Sequence, residues 1–336
     1  MSRHYTLIVT TIIFVLGGIV GYIGGVKNSV QTTITPPVEV RENSSEYKFI
    51  NPLLFSRVSK SFYTEEYRTL NDSVTSAIQS TVDDGFAESV SVYFRDLNTG
   101  HWTGIREDQK YHPSSMLKVL GLMSYLRRSE ENPSLLQEKL YYTYTKDPGQ
   151  YYQPEKPLPN MFVSTEKILE NMIMYSDNSA LHVLDVNDKA NTFNKAYHAF
   201  QLPLAKNIDD IDGFMSPRSY SALFRTLYNS TYLSREMSEK ALKLLSETTF
   251  NKGLVAGVPK GIVVAHKFGE HTYELTDNII ESRELHDCGI VYYPQHPYLV
   301  CIMTKGDSFP KLETVISDLS RLIYSFVDKK VKNGEK

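Results

Sequence analysis

A serine followed three residues later by a lysine, Ser115-Met116-Leu117-Lys118, is the stretch of this chain best placed to do chemistry. A serine hydroxyl is a poor nucleophile at neutral pH and needs a neighbouring base. Residues three apart share one face of a helix, so Lys118 can reach the Ser115 hydroxyl. Pro113 stands just ahead of the pair and suits a helix start. At such a start the backbone N–H groups are unpaired and the helix dipole is positive. Those N–H groups can hold the oxyanion that forms when a serine attacks a carbonyl. Two further tripeptides follow in order, Ser176-Asp177-Asn178 and Lys267-Phe268-Gly269. Neither is specific alone, and serine–lysine pairs are common. Ser164 and Lys167 repeat the spacing and read as the N-cap region of a helix carrying Ile168, Leu169 and Met172. The signal lies in the order and combination of the three.

The elements that must position these residues alternate between helix and strand. A helix is expected near 65–82 and strands at 90–95 and 102–105. The Ser115 helix should run to about Arg128. A helical stretch spans 165–200, and further helices cover 217–228 and 234–248. Three strands follow at 261–268, 287–293 and 298–304. The last helix, 311–327, places Leu312, Val315, Ile316, Leu319, Leu322, Ile323 and Phe326 on one stripe, a helical period that suits covering one face of a sheet. Tyr141, Tyr142, Tyr144, Tyr151 and Tyr152 cluster between the first two motifs, either rimming a cleft or packing on the surface.

S-x-x-K, S-D-N and K-T-G form the signature of class A β-lactamases and penicillin-binding proteins. The chain resembles that family of serine hydrolases. The stretch 168–184 (ILENMIMYSDNSALHVL) is similar to the family's helix, turn and helix around Ser-Asp-Asn. The stretch 263–269 (VVAHKFG) is similar to its Lys-Thr-Gly strand, 91–100 to its first hairpin and 288–305 to its last. The resemblance implies an α/β (α+β) fold, in which an antiparallel sheet flanked by helices is joined to an all-helical lobe. It also implies roles. Ser115 would be acylated by β-lactams or by the D-alanyl-D-alanine peptides they mimic, with Lys118 as base or proton relay. Ser176 would pass a proton to the leaving nitrogen, and Asn178 would bind the substrate amide. Lys267 would set the electrostatics and hold the substrate carboxylate. Phe268, Gly269 and Glu270 would line the substrate site, with the backbone N–H groups of Ser115 and Glu270 forming the oxyanion hole. No cofactor and no metal are implied.

Three departures from the family pattern stand out. Phe268 replaces the threonine whose hydroxyl helps bind the substrate carboxylate, and a phenyl ring has no such donor. No Glu-Pro-Glu-Leu-Asn pattern supplies the glutamate that activates the deacylating water. The acids in 200–216 are Asp209, Asp210 and Asp212, which read as a solvated turn or as a substitute base. Residues 270–287 are longer than a tight hairpin and should sit beside the site. A missing base costs roughly 10²–10⁴-fold in rate. The alternatives to β-lactam hydrolysis are therefore a cell-wall D,D-carboxypeptidase that deacylates slowly, and a non-catalytic binding domain that keeps the scaffold.

Composition bounds the rest. Residues 5–26 form an apolar run without charge, long enough to span a bilayer. The expected organisation is a cytoplasmic N-terminus at 1–4, a signal anchor at 5–26, a polar linker at 27–46 and the hydrolase domain at 47–336, outside the cytoplasm. The rival is a cleaved signal peptide and a secreted domain. Hydrophobic content of 41% supports a sizeable core, and a net charge of −3 leaves no nucleic-acid footprint. Cys288 and Cys301 fall on adjacent strands and are either a disulfide or two buried thiols.

Overall fold

A computed structural model of the chain describes residues 38–43, 45–57, 67–188, 191–200, 202, 213–275 and 279–334. The centre is a five-stranded antiparallel sheet. Its strands are β3 (Ser89–Asp96), β4 (Trp102–Ile105), β7 (Val264–Leu275), β8 (Ile279–Val291) and β9 (Tyr298–Gly306), in the order β4-β3-β9-β8-β7. Alternation along the strands sorts side chains between two cores, because successive residues face opposite sides. Val90, Val92 and Phe94 of β3 and Tyr298, Val300 and Ile302 of β9 face one side. There they meet helices α1 (Arg68–Asp83) and α8 (Phe309–Lys332). The stripe expected on the last helix is the one that packs, with Leu312, Val315, Ile316, Leu319 and Ile323 all buried. Tyr93, Leu299, Cys301 and Met303 face the opposite side. Helices α2 (Lys118–Glu131), α3 (Thr165–Met174), α4 (Asn178–Val186), α5 (Thr192–Ala199), α6 (Pro217–Asn229) and α7 (Arg235–Leu245) contribute to that second core. The antiparallel sheet flanked by helices agrees with the expected fold class.

Several expectations need correction. The helical stretch 165–200 is three helices broken by turns. The segment 270–287 lies beside the site as expected, but as strand: β7 and β8 extend through it as one paired hairpin from Val264↔Val291 to Leu275↔Ile279, with a bulge between Tyr273 and Glu274. The stretch assigned to the linker begins folding early, since β1 (Val38–Arg41) pairs with β2 (Leu53–Arg57). Phe49 and Ile50 are buried, and the Glu239 carboxylate accepts the N–H groups of Lys48, Phe49 and Ile50. Cys288 and Cys301, register partners on β8 and β9, are joined as a disulfide. Ser164 caps α3, its hydroxyl accepting the Lys167 N–H at 3.3 Å. The apolar run 5–26 lies outside the described residues. Among the described residues no helix is long and apolar enough to cross a membrane.

Candidate active site

Ser115 does not open an α-helix. It sits in a 3₁₀ turn, Ser114–Leu117, and the α-helix begins at Lys118. The turn still gives a three-residue step, so Lys118 Nζ lies 3.0 Å from Ser115 Oγ. Edge strand β7 passes close by. A Cβ on Gly269 would come within 2.6 Å of the Pro113 carbonyl oxygen and 2.7 Å of Met116 Cγ. Glycine at the third position of Lys267-Phe268-Gly269 is what allows the strand to approach the nucleophile turn.

Ser176 occupies the turn between α3 and α4 with φ of 55°, a left-handed conformation that a non-glycine residue adopts at a cost. The turn aims both its oxygens at lysines. Lys118 Nζ is 2.6 Å from the Ser176 carbonyl oxygen and 3.3 Å from its hydroxyl. Lys267 Nζ donates to the same hydroxyl at 2.8 Å and to the Phe268 carbonyl at 3.0 Å. Asp177 secures the turn. Its Oδ1 accepts from the Ser179 N–H at 2.8 Å, and its Oδ2 accepts from Tyr142 and from Asn171 Nδ2. Tyr142 is therefore a buried anchor, whereas Tyr141 and Tyr151 are exposed.

Asn178 is held at both ends. Its Oδ1 lies 2.6 Å from Lys118 Nζ, and its Nδ2 donates to Asp147 Oδ2 at 2.7 Å. Asp147 and Gln150 come from the loop between β5 (Lys139–Tyr142) and β6 (Met161–Ser164), and Gln150 Nε2 donates to the Ser176 carbonyl at 3.1 Å. Sequence reasoning missed both, since nothing local to them marks a functional residue. The only signal was their place in the tyrosine-rich stretch. Ser115, Lys118, Asp147, Gln150, Asn178, Glu270, His271 and Glu274 line one cleft of about 390 Å³.

Electrostatics fit this arrangement. Burial pulls the Lys118 amine down to about 7, against the opposing pull of Asp177, Glu270 and Asp147. Burial, with Lys118 beside it, holds Lys267 well below its ordinary value. A neutral Lys118 has two N–H groups, and its two shortest contacts are to pure acceptors, the Ser176 carbonyl and Asn178 Oδ1. Its lone pair is then left for the Ser115 hydroxyl proton. Burial likewise pushes the Glu270 carboxyl up to about 7.

The structure brings Ser115, Lys118, Ser176, Asn178 and Lys267 together, and places Gly269 and Glu270 alongside. Phe268 is different. Its ring stacks on Phe250 at 4.1 Å, packs against Tyr152, and belongs to the core under α8. It does not line the Ser115 cleft, although Lys267 Nζ lies over its ring, 4.2 Å from the centroid. The assignment of Phe268 to substrate contact is corrected accordingly. His266 is also a packing residue, its Nδ1 2.7 Å from Asp287 Oδ1 with both side chains buried. Asp209, Asp210 and Asp212 lie outside the described residues. Among the described residues no cluster of metal-ligating side chains occurs.

A family model described as "Beta-lactamase enzyme family" matches residues 73–327. No curated protein sequence matches the chain. Among solved structures, a variant of PBP-A in an acyl-enzyme complex with penicillin G is 24% identical, with a TM-score of 0.62 over 77% of this chain and 97% of that one. The TLA-3 extended-spectrum beta-lactamase is 20% identical, with a TM-score of 0.64 over 76% and 98%. A class A beta-lactamase from Mycobacterium abscessus is 19% identical, with a TM-score of 0.62 over 76% and 99%. At these identities the likeness is one of fold.

Proposed function

The chain belongs to the beta-lactamase enzyme family and is a serine hydrolase, and from that premise we propose that Ser115 is its nucleophile, acylated by β-lactams or by the D-alanyl peptides they mimic. The observation that carries this is the convergence of Lys118 on Ser115 Oγ and of both lysines on Ser176 Oγ. Neutral Lys118 takes the hydroxyl proton as Ser115 Oγ bonds to the carbonyl carbon. The carbon–nitrogen bond then breaks, and the leaving nitrogen receives a proton through Ser176, whose hydroxyl bridges the two lysines. The N–H groups of Ser115 and Glu270 stabilise the oxyanion. PBP-A, a neighbour in fold, is described as an acyl-enzyme with penicillin G, which supports the same intermediate here. Release from Ser115 is slow on this reading, because no glutamate pattern supplies a deacylating base. A D,D-carboxypeptidase with a long-lived adduct is favoured over rapid β-lactam turnover for that reason. Mixing the protein with benzylpenicillin and following intact mass over time tests this. A stable mass increase of one penicillin is expected. Rapid return to the free mass with product accumulation would establish turnover, and no increase would remove acylation altogether.

The same reading anchors the hydrolase outside the cytoplasm by the run 5–26. The Cys288–Cys301 disulfide supports it, since such bonds persist in oxidising compartments. Carbonate-washed membranes should retain the full chain and lose a form lacking residues 1–36, which keeps β1. Recovery of the full chain in the wash would contradict the anchor.

A further inference from the structure

Asp147 belongs to none of the three motifs, yet it touches one of them directly. Asn178 Oδ1 lies 2.6 Å from Lys118 Nζ, and Asn178 Nδ2 donates to Asp147 Oδ2 at 2.7 Å. A carboxylate only accepts, so this bond fixes which end of the Asn178 amide is nitrogen. That nitrogen carries two N–H groups. Asp147 takes one, and the other is left for the carbonyl oxygen of a substrate amide. Two acceptors on one NH₂ group, each at about 2.9 Å, lie about 5 Å apart. The Asp147 carboxylate is thereby set beside the amide that Asn178 would bind.

The loop holds it there. Asp147 Oδ1 accepts the Gly149 N–H at 2.9 Å, and the Asp147 carbonyl accepts from Gln153 Nε2 at 2.6 Å. Two residues earlier, the Thr145 N–H donates to Ser179 Oγ at 2.9 Å and the Ser179 hydroxyl donates back to the Thr145 carbonyl at 3.0 Å, which ties the loop to α4. Each carboxylate oxygen of Asp147 still has room for a second donor, and the side chain is only half-buried, within reach of a ligand in the cleft.

Little in the cleft offsets its charge. Among the described lining residues the one lysine is Lys118. In the neutral form that takes the Ser115 proton, Lys118 no longer balances an acid. His271 lines the cleft too, and burial with His112 beside it holds the ring neutral, down at about 4. Lys146 is exposed and does not line the cleft, whereas Glu274 does and adds negative charge. A carboxylate so placed attracts a ligand cation and repels a ligand anion.

With the acylation of Ser115 as premise, we infer that Asp147 sets specificity on the amide side of the cleft, and that the natural acyl donor is an amine-bearing D-alanyl peptide whose positive charge lies close to the amide bound by Asn178. The carboxylate beside the scissile bond keeps its proposed place at Lys267.

Three penicillins made from 6-aminopenicillanic acid test this. All keep the ring and its carboxylate. Their side chains are trimethylammonioacetyl, tert-butylacetyl and sulfoacetyl, which put a fixed cation, a neutral group of the same shape and a fixed anion next to the amide. Second-order rates of adduct formation at Ser115 are followed by mass spectrometry on the full chain at about pH 8, where ordinary carboxyls are ionised. The rate ratio of cation to anion should be about fivefold larger in the parent than in Asp147→Asn, with the neutral compound between, as half-exposed charge contacts of opposite sign allow. Differences in intrinsic reactivity cancel, because the same compounds meet both proteins. Asparagine keeps an oxygen for the Asn178 N–H, so the comparison isolates the charge. Raised salt should narrow the parent ratio and leave that of the variant alone. Equal ratios in parent and Asp147→Asn, or a larger one in the variant, overturn the inference while leaving acylation intact. No adduct with any of the three compounds in the parent removes the acylation reading and this inference with it. If Asp147→Asn fails to fold, Asp147→Ala and the salt series on the parent decide, and a parent ratio indifferent to salt overturns the inference.

Discussion

Lys267 and Phe268 are neighbours on one strand, both buried, and they serve different halves of the molecule. Lys267 joins a polar centre in which Lys118, Ser176 and Asn178 share three hydrogen-bonding contacts within 3.3 Å, and adds its own to Ser176 Oγ at 2.8 Å. Phe268 joins an aromatic layer with Phe250, Tyr152 and Phe309. Burial of the lysines works against folding, because desolvation disfavours their charged form. Burial of the phenyl rings works for it. The strand therefore lays a site that costs stability directly against a layer that supplies it. Substitutions on the two faces should separate activity from stability.

The largest effect expected is on the polar side. Lys118→Ala should slow acylation of Ser115 by about 10²–10⁴-fold, the usual worth of a positioned base. In the parent the acylation rate should rise with pH through about 7, as the Lys118 ammonium loses its proton and its lone pair becomes available. That rise should vanish in the variant. Stability carries the same signature. The folded amine titrates below the unfolded one, so the unfolded chain binds the extra proton between about 7 and 10.5 and Lys118 makes stability rise with pH across that window. A flat acylation profile in the parent would break the assignment.

On the aromatic side, Phe268→Ala should cost about 3–5 kcal/mol in denaturant unfolding, as loss of a buried phenyl does elsewhere. The folded fraction should still be labelled at Ser115. Unchanged stability would mean the ring is no part of the layer. Tyr142→Phe comes next. It removes a donor from the buried Asp177 carboxylate that holds the Ser176 turn, and should cost about 1–3 kcal/mol. Smallest is Ser164→Ala, which removes the cap of α3 and should cost about 1 kcal/mol. Labelling should be untouched by it, although Ser164 has the same spacing to a lysine as Ser115. A labelling defect there would mean that spacing alone misleads.

The sequence made the site legible where chemistry imposes residue types in order. Ser115, Lys118, Ser176, Asn178 and Lys267 meet although they come from three distant segments. The capping role of Ser164 and the buried stripe of α8 followed from local periodicity. The length of the β7–β8 hairpin did not, because EHTYELTDNIIESRELHD carries charge on both faces and gives no clean alternation. Asp147 and Gln150 were invisible because their roles arise only when the 143–160 loop folds across Ser176 and Asn178. The direction of Phe268 was within reach. On a strand whose Lys267 turns toward Ser176, alternation gives its successor the aromatic core, although the Lys267 ammonium still reaches over the Phe268 ring.

The measurement that bears most directly on the account is peptide mapping of the covalent adduct after benzylpenicillin treatment, carried out in parallel on the parent, Ser115→Ala and Ser164→Ala. The account predicts one adduct, on the peptide holding Ser115, present and slow to decay in the parent and in Ser164→Ala and absent from a folded Ser115→Ala. An adduct that survives in Ser115→Ala, or that maps to another peptide in the parent, would contradict it.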